Sequence, residues 1–113
     1  MNAKRKGIEW ERQIMKKLSK LGYYVTRSRA SFGFFDIWAF HPYTGVLLLI
    51  QAKSTSKDYV RLDSNLKKAN ELAQKLKERG FNHIKIQLWI KFRNRRKVKI
   101  IDLPIEKNKI TFD

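Results

Sequence analysis

The stretch Val46-Leu47-Leu48-Leu49-Ile50-Gln51-Ala52-Lys53 decides the fold. Its apolar run leaves no polar strand face, as expected of a central strand covered on both sides. Strand side chains alternate, so Gln51 and Lys53 project to one face at the end of the run. An ammonium at the rim of a buried strand is costly unless it meets an anion. Upstream, His41-Pro42-Tyr43-Thr44-Gly45 supplies a turn, and Phe35 to Phe40 reads as a second strand that begins with Asp36. Paired as a hairpin, the two strands bring Asp36 and Gln51-Ala52-Lys53 to the same turn-distal end of the sheet. A carboxylate on one strand, an amide or carboxylate on the next and a lysine two positions further on form the layout of metal-dependent phosphodiester cleavage. In that layout Asp36 is the main metal ligand and Gln51 binds through its amide oxygen. Lys53 holds the attacking water or offsets transition-state charge. The plain alternative is an aspartate that starts a strand, a satisfied glutamine and a lysine that snorkels to solvent.

Working outward, residues from about Ala3 to Leu21 repeat with helical period, and Gly22 is suited to the left-handed stop. Ile8, Ile14, Met15, Leu18 and Leu21 share one face, and Glu11 falls within that apolar stripe while Glu9 projects from the opposite side. An inward carboxylate on this helix can complete a metal site, or it can pair with an arginine. Tyr23 to Arg27 reads as a strand. Asp63 or Ser64 can cap a helix running to about Arg79, with Leu66, Ala69, Leu72, Ala73 and Leu76 on its apolar side and Gly80 at its end. Ile84 to Lys91 and Lys97 to Leu103 are further strands joined by a basic turn. The residues from Pro104 onward are an edge strand or an ordered tail.

Composition narrows the partners. The chain has 113 residues, room for one domain spanning 1–113, with 26 Lys and Arg against 10 Asp and Glu and a net charge of +16. So positive a field calls for a polyanion. No apolar stretch approaches the ~20 residues of a membrane span, and the N-terminus lacks a signal-peptide core. Nucleic acid in the cell interior is therefore preferred over a membrane or a small-molecule substrate. With no cysteine and only His41 and His83, thiolate and histidine metal cages are excluded. A bound metal would be held by oxygen, which points to Mg²⁺, with Mn²⁺ able to substitute. Lys4-Arg5-Lys6, Arg27, Arg29, Lys57, Tyr59 and Arg61 are the candidate nucleic-acid contacts, and Ser31 offers a hydroxyl just before the Asp36 strand. Trp10, Trp38 and Trp89 read as core or interface packing rather than stacking platforms.

Gly7-x-x-x-Glu11-Arg12, Gly22-Tyr23-Tyr24-Val25-Thr26-Arg27, Ala30-Ser31, Asp36-Ile37-x-Ala39, Ile50-x-Ala52-Lys53 and Tyr59-Val60-Arg61 occur in this order. Together they resemble the archaeal-type Holliday junction resolvases, a branch of the PD-(D/E)xK nuclease superfamily. The resemblance implies an α/β, restriction-endonuclease-like core with a mixed central sheet of about five strands flanked by helices. It implies Glu11, Asp36 and Gln51 as metal ligands, Lys53 as catalytic lysine, and Ser31 as an active-site hydroxyl. It also implies a homodimer that nicks two strands of a four-way DNA junction symmetrically with Mg²⁺, in recombination or repair. The family usually has Glu where this chain has Gln51. An amide keeps the acceptor oxygen but loses a charge, which weakens metal binding. Mrr-like restriction endonucleases of the superfamily do carry QxK. Three functions are thus open: a junction resolvase, another PD-(D/E)xK endonuclease, and an inert nucleic-acid binder of the same fold. The chain fits a cellular or a virus-encoded origin.

Overall fold

A computed structural model of the chain describes residues 3–28 and 35–113, with side chains from residue 7 onward. The helix α1 (Ala3–Lys20) leads into β1 (Tyr24–Arg27), β2 (Ile37–Phe40) and β3 (Leu47–Thr55). After β4 (Tyr59–Arg61) and the helix α2 (Ser64–Glu78) come β5 (Ile84–Phe92), β6 (Lys97–Asp102) and β7 (Lys109–Thr111). Five strands form one sheet in the order β1-β2-β3-β5-β6, and β4 pairs with β7 in a separate two-stranded ribbon. β3 runs antiparallel to β2 and parallel to β5, so the central sheet is mixed as expected.

The apolar run of β3 does what its composition requires. Leu48 and Ile50 pack with Trp10, Ile14 and Leu18 of α1, whereas Leu49 packs with Ala69 and Ala73 of α2. Each face of the strand is covered by one helix, which is why neither face is polar. Truncating Ile14, which is fully buried, to Ala would cost about 2–5 kcal/mol.

The stop of α1 and the start of α2 follow the signals in the sequence. Gly22 has φ +93°, and the Tyr23 N–H donates to Leu18 O at 3.1 Å across the turn. A Cβ at Gly22 would also lie 3.2 Å from His41 Nε2, so conformation and space both select glycine. Asp63 caps α2, its Oδ1 accepting from the Leu66 N–H at 2.9 Å. Leu21, placed on the apolar face of α1 by periodicity, is instead 59% exposed because the helix ends at Lys20 and the chain has already turned. Trp10 takes the core position, and its Nε1 donates to Trp89 O at 3.2 Å. Trp89 is likewise buried and Trp38 is half-buried against the core.

The C-terminal residues resolve as an edge strand. β7 pairs with Tyr59-Val60-Arg61, a motif whose strand character was not apparent in the sequence. Val60 and Ile110 anchor this ribbon on the core formed by Leu66, Leu88, Ile90 and Phe92.

Candidate active site

The hairpin register pairs Ile37 with Ile50. One further step sets Asp36 across from Gln51, and the Asp36 N–H still donates to Ile50 O at 2.8 Å, although the strand proper starts at Ile37. Asp36 Oδ2 in turn accepts from the Ala52 N–H at 2.8 Å, which fixes the carboxylate against the β3 backbone. Gln51 is the only buried polar side chain among the described residues, 4% exposed. Asp36, Gln51 and Lys53 therefore gather at one end of β2 and β3, as the pairing argument required.

Glu11 reaches this corner from α1, where its Oε1 accepts from Arg27 Nε at 2.8 Å. Burial pushes its carboxyl above the ordinary range; the Arg27 hydrogen bond opposes that, and the negative charge of Asp36 adds to it. Asp36 is also pushed up, by burial first, against the Ala52 hydrogen bond and the charges of Lys53 and Arg27. The two carboxylates and two cations thus form one electrostatic unit. Arg27, expected at DNA, is here the partner of Glu11.

Lys53 has a partner that spacing did not reveal. Its Nζ lies 2.8 Å from Oδ2 of Asp63, the residue that caps α2 with its other oxygen. Burial raises the Asp63 carboxyl, but the hydrogen bonds from Lys53 and the Leu66 N–H outweigh it and hold the group below its usual range. Both side chains are substantially exposed, so the pair contributes little to stability. Its consequence is positional, since it ties the lysine to a helix terminus. The sequence marked Asp63 only as a cap; no local signal indicated that the helix start would meet β3.

Beyond this corner Lys53, Ser54, Lys57, Tyr59, Arg61 and Asp63 line an open groove of about 440 Å³. A second cavity of about 230 Å³, between the end of α2 and the start of β5, is lined by Leu76, Phe81, Ile84 and Leu103 and lies away from Asp36. The basic turn after β5 is partly structural. Arg93 Nη1 donates to Ser54 Oγ at 2.8 Å, and Arg95 makes a two-pronged pair with Asp58 at 3.0 Å. Ser31 and Arg29 lie outside the described residues, as do the side chains of Lys4, Arg5 and Lys6.

A hard divalent cation calls for several oxygen donors at one point. Among the described residues no three His, Cys, Asp or Glu side chains converge. Two carboxylates do share the corner, each held in a state that disfavours its charge, and an added cation would relieve both. Gln51, across from Asp36 in the register, would add a neutral oxygen donor, a set that suits a weakly charged oxygen site.

A mixed sheet with a helix on each face and a carboxylate–amide–lysine cluster at one strand end defines a restriction-endonuclease-like nuclease fold. The family model for the archaeal Holliday junction resolvases (Hjc) matches residues 2–68, and the chain belongs to that family of DNA-recombination nucleases. Among solved structures the chain is similar to Hjc of Archaeoglobus fulgidus, a Holliday junction resolvase from an archaeal hyperthermophile. The identity is 25% with a TM-score of 0.61, over 94% of this chain and 84% of the other. No curated protein matches. Among the described residues no helix is long and apolar enough to cross a membrane.

Proposed function

We propose that this protein is a metal-dependent endonuclease that resolves four-way DNA junctions by paired nicks, acting as a homodimer. The observation that carries the reading is the convergence of Asp36, Gln51 and Lys53 at one end of the β2–β3 pair, with Glu11 brought in by α1. Mg²⁺, or Mn²⁺ in its place, would be held by Asp36, Glu11 and the Gln51 amide oxygen, and would supply an activated water and charge neutralisation at the phosphate. Asp36 keeps its orientation through the Ala52 N–H. Lys53 offers its ammonium to the attacking water or to a phosphate oxygen. Asp63 holds that ammonium near the strand end until the substrate anion competes for it. By the family resemblance Ser31 would serve as an active-site hydroxyl, and Arg29, Lys4, Arg5 and Lys6 would add sequence-independent affinity for the DNA backbone. A two-fold dimer presents two such sites to the two symmetric phosphates of a junction.

One observation favours a second reading, an inert binder: the corner holds two carboxylates, and Glu11 is already paired with Arg27. Cleavage of a labelled four-way junction beside a linear duplex of the same sequence, with Mg²⁺ and with chelator, separates the possibilities. Metal-dependent paired nicks confined to the junction support the resolvase. Equal cutting of both DNAs makes it a general endonuclease, and tight binding without cutting makes it the inert binder.

A further inference from the structure

Tyr59 on β4 has three cations around its ring: Lys57 Nζ at 5.7 Å, Arg61 Cζ at 5.5 Å and Lys109 Nζ at 5.5 Å from the centroid. Lys57, Tyr59 and Arg61 alternate along the chain, and β7 sets Lys109 directly across from Arg61. Three like charges so close repel one another, and the negative face of the ring offsets part of that repulsion. A ring occupied in this way organises charge; it is not a platform for stacking a base. Among the described residues the ion pairs are Arg27–Glu11, Lys53–Asp63 and Arg95–Asp58, so none of the three cations is neutralised by a carboxylate. The ribbon that carries them is held firmly, because Val60 and Ile110 are buried beneath it and Lys99 Nζ donates to Thr111 O at 3.0 Å. Lys57 and Arg61 also line the groove that starts at Lys53.

We propose that the β4–β7 ribbon is a phosphate-backbone site for one DNA strand, which runs along the groove from Lys53 past Tyr59 with Lys57, Arg61 and Lys109 as its phosphate ligands. This rests on the endonuclease reading and extends it to β7, which lies beyond the residues matched by the family model. Ammonium and guanidinium groups suit phosphate oxygens and carry no base information, so the site adds affinity and register rather than sequence preference.

The test is equilibrium binding of a fluorescent four-way junction in chelator across a salt series. Lys109→Glu is compared with Lys85→Glu, which makes the same charge change at an exposed position near the start of β5. The expected result is at least tenfold weaker binding for Lys109→Glu at moderate salt, with the slope of log affinity against log salt shallower by about 1. Lys85→Glu should weaken binding less than threefold, and Lys109→Arg should restore the wild-type slope. Equal effects of Lys109→Glu and Lys85→Glu, or an unchanged slope for Lys109→Glu, would overturn the proposal. Failure of the wild type to cut the junction with Mg²⁺ would instead remove the endonuclease reading and leave the binding comparison standing.

Discussion

The five-stranded sheet and the two-stranded ribbon treat charge in opposite ways. At the Asp36 end of the sheet the described charged groups are tied to other groups: Asp36 to the Ala52 N–H, Glu11 to Arg27, Lys53 to Asp63. On the ribbon, cations crowd around Tyr59 and, among the described residues, have no carboxylate partner. Half-buried groups that fix one another's positions suit chemistry, which needs atoms held to a fraction of an ångström. Exposed cations of one sign suit a polyanion, whose own charge supplies the missing partner. The two regions should therefore fail differently when altered.

The largest effect is expected at the sheet. Asp36→Asn or Lys53→Ala should lower single-turnover junction cleavage by about 10²–10³-fold or more, while the junction Kd at equal salt stays within about threefold. A variant of either residue that cuts near the wild-type rate would break the comparison, since the tied cluster would then have no chemical role. Asp63 sharpens it. Asp63→Asn keeps an N-cap but removes the anion beside Lys53, so cleavage should fall by about tenfold with stability changed by less than about 1 kcal/mol. Asp63→Ala should add the loss of the cap, about 1 kcal/mol in thermal or denaturant unfolding. Normal cleavage by Asp63→Asn would leave Asp63 as a cap alone.

Gln51→Glu should lower the Mg²⁺ concentration needed for half-maximal cleavage several-fold and preserve or raise the rate, because it adds a third carboxylate to a weakly charged site. The smallest effect concerns pH and stability. Asp36 and Glu11 are both pushed above the ordinary carboxylate range, by burial first. Such groups favour the folded state fully below their unfolded values near ~4, and that contribution is lost as pH rises through the raised folded values. In chelator, Asp36→Asn should therefore melt at nearly the wild-type temperature at acidic pH and increasingly above it towards neutral pH. A difference that shrinks as pH rises would reverse the assigned cause.

What was legible in the sequence follows from distance along the chain. The β2–β3 hairpin and the placement of Asp36 against Gln51 rest on a turn and an apolar run that are adjacent in sequence, so period and turn chemistry were enough. The Glu11 position followed from helical phase, and its pairing with an arginine was one of the two readings open there. The β4–β7 ribbon was not legible, because three-residue strands carry almost no periodic signal and Tyr59 pairs with Thr111 from the far end of the chain. The Lys53–Asp63 contact was hidden for a related reason. It depends on where α2 lands on the sheet, which neither segment specifies alone. The turn that carries Arg93 and Arg95 was legible only as basic, and the contacts that hold them, to Ser54 of β3 and to Asp58 just before β4, exist only once the chain has folded.

The most direct test of the account is single-turnover cleavage of a four-way junction by the wild type and by Asp36→Asn across a Mg²⁺ titration. The account predicts paired nicks that rise to saturation with metal in the wild type, vanish with chelator, and are slower by at least about 10²-fold in Asp36→Asn at every concentration. Cutting that survives chelation, or that proceeds in Asp36→Asn near the wild-type rate, would contradict it.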